Sequence, residues 1–161
     1  MRIIAHDPFM PAEEIAAADA ESVSFDELVT ESDCLVIQAP LTPQTHHLID
    51  ETQLRRMKPT AILINTARGP IVEDRALHRA LNEGWIAGAG LDDIEEEPAK
   101  VRDWRPDNSL FGLGNVVITP HVAYYSEESI GTLRSFDAEE VVRVLTGQPP
   151  LSPVNADELR R

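Results

Sequence analysis

Short apolar runs alternate with amphipathic stretches along this chain. Ile3-Ile4-Ala5, Cys34-Leu35-Val36-Ile37, Ala61-Ile62-Leu63-Ile64, residues 86–91 and Val116-Val117-Ile118 are compact runs closed by polar or turn-forming residues, which predicts buried strands. Between them the spacing becomes helical. Residues 13–20 are alanine- and acid-rich, residues 24–29 read as a capped turn, and Asp50 is placed to cap a helix over 51–57. Residues 73–82 put Ala76, Leu77, Ala80 and Leu81 on one face, with Gly84 as the stop. Residues 99–114 predict an extended loop with a helical turn. A long helix is expected from Ser126 to about Thr146, with Glu127 and Glu128 at the positive end of its dipole and Gly147 ending it. Strands alternating with helices, without a repeat, predict an α/β fold with a doubly wound parallel sheet and right-handed crossovers.

In such sheets ligands bind beyond the carboxyl ends of the strands, and several polar residues fall there. Arg68 follows the 61–65 strand, Asp92 and the acidic run to Glu97 follow the 86–91 strand, and Pro120-His121 follow the 115–119 strand. A guanidinium, carboxylates and an imidazole on one edge make an acid–base site with an anion anchor. Arg68 can hold a carboxylate in its planar, permanently charged fork, or take part in a structural ion pair. A carboxylate beside His121 favours the protonated imidazole, a competent acid for a carbonyl oxygen. Reducing that carbonyl also needs a hydride, which no side chain donates, so a nicotinamide cofactor is implied. Asp7 ends the first strand, where an acidic residue can hold ribose hydroxyls or simply form a turn with Pro8. Glu95, Glu96 and Glu97 are indistinguishable from a solvated acidic loop on composition alone. His46 and His47 are adjacent on a polar loop and receive no role, as do His6 and His78; no metal site is expected.

With 14 basic and 28 acidic residues the net charge is −14, which repels nucleic acid and anionic membrane surfaces. Hydrophobic content of 42% in 161 residues suits one domain with a real core. The single cysteine, Cys34, reads as a buried small hydrophobe inside its apolar run and excludes an internal disulfide. No stretch approaches a membrane span, so a cytoplasmic location is expected.

Pro40-Leu41-Thr42, Met57-Lys58-Pro59, Asn65-Thr66-Ala67-Arg68-Gly69, Leu91-Asp92, Glu97-Pro98 and Thr119-Pro120-His121 occur in an order that resembles the D-isomer-specific 2-hydroxyacid dehydrogenases over residues 1–155. The segment 93–107 and Tyr124-Tyr125-Ser126-Glu127-Glu128 look most like the bacterial branch related to the C-terminal binding proteins, with phosphoglycerate dehydrogenase-like enzymes close behind. The resemblance implies a Rossmann-like fold, NAD as cofactor and hydride transfer to or from a small 2-hydroxy or 2-keto acid. It implies Arg68 as substrate-binding arginine, His121 as acid/base and Glu97 as its partner carboxylate, which selects Glu97 among the three glutamates. It further implies Asp7 at the adenosine ribose, Thr66, Ala67 and Asp92 around the nicotinamide carboxamide, and the loop from Pro40 lining the adenine side.

The family's G-x-G-x-x-G turn does not occur in these 161 residues. The expected organisation is an incomplete dinucleotide-binding domain over 1–150 with a tail at 151–161, lacking the first strand, the Gly-rich loop, the following helix and most of the substrate domain. In the strand order 3-2-1-4-5-6 the absent strand is expected between Ile3–His6 and Ala61–Asn65. A start assigned at an internal methionine is the expected explanation. Two other functions stay open: an NAD(H)-sensing interaction module of the corepressor type, and an inactive truncated remnant. A homodimer is left open, because the family's dimer surface includes segments upstream of Met1.

Overall fold

In the computed structural model, which describes residues 1–95 and 108–154, the apolar runs become strands and the amphipathic stretches helices. In chain order the elements are β1 Ile4–Ala5, α1 Ala12–Ala17, β2 Glu21–Ser22, α2 Phe25–Glu31, β3 Cys34–Ile37, α3 Glu51–Leu54, β4 Ile62–Asn65, α4 Asp74–Asn82, β5 Gly88–Leu91, β6 Val116–Ile118 and α5 Glu127–Leu145. The chain divides into two units, Met1–Ala123 and Tyr124–Arg161.

The first unit holds two parallel sheets. One is four-stranded with order β3-β4-β5-β6, the other pairs β1 with β2. Register in the larger sheet aligns Ile37 with Asn65 and Leu91, and Leu91 with Ile118, so the strand ends form a common edge. Side chains alternate across this sheet. Leu35, Ile37, Leu63, Asn65, Ala89 and Leu91 turn inward and are buried, and they share a core with Val29 of α2, Leu54 of α3 and all four predicted apolar residues of α4. Each fully buried leucine or isoleucine there contributes about 1.5–3 kcal/mol relative to exposure.

Capping fixes where the helices start. Ser24 and Glu27 form a reciprocal capping box on α2, and Asp50 with Gln53 does the same on α3. Gly84, just beyond α4, takes φ +73°, a left-handed conformation that favours glycine.

Three features depart from the sequence reading. Cys34 is exposed. It lies with Val36 and Ile62, themselves 50% and 43% exposed, on the outward face of the sheet, so the apolar run is buried on one side only. Glu21–Ser22 is a strand that the sequence did not signal, because it is two residues long with both side chains exposed. That strand also moves the gap in the sheet. β4 is hydrogen-bonded to β3 on one side and β5 on the other, so no strand can enter beside Ala61–Asn65. Among the described residues, β1 pairs only with β2 and β3 only with β4, which leaves each of β1 and β3 with an open edge.

In the second unit, α5 begins at a capping box between Ser126 and Ser129, and Gly147 follows it at φ +80°. It has no buried residue.

Candidate active site

β4 ends in Asn65, whose inward position on the strand buries its amide completely. That amide shapes the loop beyond it. Its oxygen accepts from the Ala67 N–H at 3.1 Å, and its nitrogen donates to the Arg68 carbonyl at 2.8 Å. The loop is thereby folded so that Thr66 and Arg68 are exposed while Gly69 is buried. The Arg68 guanidinium donates to the Ala67 carbonyl at 2.6 Å. Thr66 accepts through its hydroxyl from the Gln38 amide at 3.0 Å, linking the ends of β3 and β4.

β5 ends at Leu91 and delivers two buried carboxylates, Asp92 and Asp93. They divide the work between them. Asp92 Oδ1 accepts from Thr119 Oγ1 at 2.5 Å and from the Val122 N–H at 3.0 Å, and Oδ2 from the Ala123 N–H at 2.8 Å. The Asp92 carbonyl takes the His121 N–H at 2.8 Å. His121 sits in this turn at φ +55°, a left-handed conformation for a non-glycine residue, and the surrounding bonds to Asp92 hold it there. Burial alone would push the Asp92 carboxyl up, but the bonds from Thr119, Ala123 and Val122, with the nearby His121 imidazole, hold it below the usual carboxylate range.

Asp93 faces the other way. Its Oδ2 accepts from the Gly69 N–H at 3.3 Å and lies 4.0 Å from His121 Nδ1, while Oδ1 accepts from the Ile94 N–H. One buried carboxylate therefore touches both the Arg68–Gly69 loop and the imidazole. Gly69 approaches this segment so closely that a Cβ there would lie 2.1 Å from the Ile94 carbonyl carbon.

The remaining sequence-predicted residues fall at separate places on the strand ends. Asp7 is exposed two residues beyond β1, and its Oδ1 accepts from the Phe9 N–H at 2.8 Å. Pro40 is exposed beyond β3, and its carbonyl accepts from Thr45 Oγ1 at 2.6 Å. Glu97 lies outside the described residues. Asn65 and Asp93 were missed by the sequence reading. Asn65 could have been found, because it shares the inward parity of Leu63 and a polar residue there needs partners. Asp93 offered no signal that separates it from the acidic run.

For a dinucleotide, the polar groups beyond the strand ends are chemically suitable. The exposed Thr66 hydroxyl and the half-buried Ala67 backbone stand beyond β4, and the exposed Asp7 carboxylate beyond β1 can accept from ribose hydroxyls. Asp92 is more heavily committed, since three donors of the His121 turn already occupy its oxygens.

Comparison with known proteins places this arrangement in context. The family model of the D-isomer specific 2-hydroxyacid dehydrogenase NAD-binding domain matches residues 1–123. Glyoxylate reductase of Korarchaeum cryptofilum is 42% identical over 160 residues, which is 99% of this chain and 47% of that protein. Glyoxylate reductase of Thermococcus litoralis is 42% identical over 159 residues, again 99% of this chain and 46% of that protein. The chain thus spans about half the length of the curated relatives it matches. Among solved structures, the NAD-complexed D-isomer specific 2-hydroxyacid dehydrogenase of Lactobacillus delbrueckii ssp. bulgaricus superposes with a TM-score of 0.85 at 36% identity, over 96% of this chain and 49% of the other. The D-lactate dehydrogenase of Aquifex aeolicus, complexed with NAD and lactic acid, gives a TM-score of 0.83 at 34% identity, over 91% and 47%.

Proposed function

Because the chain belongs to the D-isomer specific 2-hydroxyacid dehydrogenases, through their NAD-binding domain, we propose that it carries the cofactor-binding and acid–base elements of an NAD-dependent oxidoreductase acting on a small 2-keto or 2-hydroxy acid. The observation that supports this most is the coupling of the Arg68 loop and the His121 turn through adjacent buried carboxylates at the sheet edge. Arg68 is exposed and permanently charged, suited to a substrate carboxylate. His121 gives a proton to the carbonyl oxygen in reduction and removes it from the hydroxyl in oxidation. Glu97 is the proposed carboxylate partner of that imidazole. Asp92 positions His121 by holding its turn. Thr66, Ala67, Asp92 and Asp7, with the loop from Pro40, are the residues proposed to hold NAD, which when bound supplies or accepts the hydride. Glyoxylate is the first substrate to try, given the glyoxylate reductases among the relatives.

The test is NADH oxidation with a panel of 2-keto acids including glyoxylate and pyruvate, beside NADH binding measured by fluorescence. Binding with keto-acid-dependent oxidation supports the reading, and His121→Ala should then lower kcat by about 10²–10⁴-fold while binding persists. Absence of NADH binding, or turnover unchanged in His121→Ala, overturns it.

A further inference from the structure

Beside the Arg68 loop, the loop after β3 and the segment after β5 bring together a second set of chemistry-bearing side chains. We propose that His46, His47 and Glu95 form a binding site for a divalent transition-metal cation of the zinc or nickel class. One ligand atom from each lies within 4.8 Å of the others. The two imidazole rings are 4.0 Å apart between centroids and inclined by 33°. His47 Nε2 and Glu95 Oε1 are 2.5 Å apart, whereas neighbouring ligands of a tetrahedral zinc are roughly 3.3 Å apart, given bonds of about 2.0 Å. A cation therefore needs these two atoms to separate by less than about 1 Å, and both side chains are partly exposed.

The backbone is prepared for this arrangement. His47 adopts φ +52°, a left-handed conformation costly for a histidine, and its N–H is tied to the Pro70 carbonyl at 2.9 Å. Glu95 is oriented from behind. Its Oε2 accepts from the Asp74 N–H at 2.9 Å, its own N–H donates to Asp74 Oδ2 at 3.3 Å, and Asn108 donates to that same oxygen at 2.8 Å. Supporting hydrogen bonds of this kind are what orient ligands at metal sites. A simple latch between loops would use only His47 and Glu95; the exposed His46 ring adds a third donor that a latch does not need. Two imidazole nitrogens with one carboxylate favour zinc or nickel over magnesium or calcium, which prefer all-oxygen shells. Bound there, the cation braces the two segments that contact Pro70 and Gly69 of the Arg68 loop.

The test is calorimetric titration of tag-free, EDTA-treated protein with zinc and separately nickel chloride, with thermal unfolding followed in parallel. Binding near one equivalent is expected, with a rise in Tm that magnesium does not produce. His46→Ala changes only an exposed side chain and should weaken zinc at least about tenfold; Glu95→Gln should do the same, while His78→Ala should not. Absence of zinc binding at about 100 µM, or binding unchanged in His46→Ala, would overturn the proposal.

Discussion

Asp92 joins more of the site than any other single side chain described, and its energetics are open to measurement. Three donors of the His121 turn end on one buried carboxylate. Replacing it with asparagine turns an acceptor into a donor facing backbone N–H groups, so Asp92→Asn should destabilise the protein by about 1–3 kcal/mol at pH 7, read from urea denaturation. The pH dependence has a definite sign. A carboxyl held below its unfolded value of about 3.9 contributes stability that is fully present above that pH and is lost as pH falls through the folded value. The difference between wild type and Asp92→Asn should therefore shrink below about pH 4, and a difference that grows on acidification would contradict this account. At this scale the sequence was legible where position alone assigns chemistry. Arg68 and His121 stand beyond the carboxyl ends of β4 and β6, where the sequence placed them. Asn65 was passed over although its inward parity and its partners Ala67 and Arg68 are local, whereas Asp93 was not legible because its partner Gly69 is 24 residues away.

At the level of elements, the tight joint is where the loop after β4 meets the segment after β5. A Cβ on Gly69 would sit 2.1 Å from the Ile94 carbonyl carbon and oxygen, and backbone cannot move aside cheaply. On Gly90 it would meet only the terminal methyl of Ile64 at 2.9 Å, a flexible side-chain end. Gly69→Ala should therefore cost more than Gly90→Ala, about 3 kcal/mol or above against about 1, with the thermal midpoints reporting the order. The open face of the sheet makes a separate expectation. Cys34 is exposed beside Val36 and Ile62, so it should react with a thiol reagent in native buffer about as fast as in denaturant; strong protection would mean the face is covered in solution. Helices α2, α3 and α4 were legible because caps and apolar spacing agree locally. The pairing of β1 with β2 was not, since two exposed residues carry no alternation, and without β2 the order of the remaining strands was miscounted.

Across the whole molecule, order is unevenly supported. Among the described residues, the buried core lies in the unit Met1–Ala123, whereas α5 runs for 19 residues with no buried side chain. Its Leu133, Phe136, Val142 and Leu145 are 55%, 49%, 59% and 80% exposed. Within its own unit this helix has caps and backbone hydrogen bonds but buries no side chain, whereas tertiary packing supplies most helical stability in proteins. α4 is the natural internal reference, being half as long yet anchored by four buried side chains. Amide hydrogen exchange should separate the two. The α5 amides should exchange at least on the order of tenfold faster than those of α4, because local opening of α5 exposes almost no new apolar surface while opening of α4 uncovers the core. If α5 instead proves as protected as α4, its apolar residues are covered in solution by protein, and the protection should then fall on dilution if a second copy provides the cover. Either result is independent of turnover, so it tests how the fold is held together apart from what its carboxyl edge does.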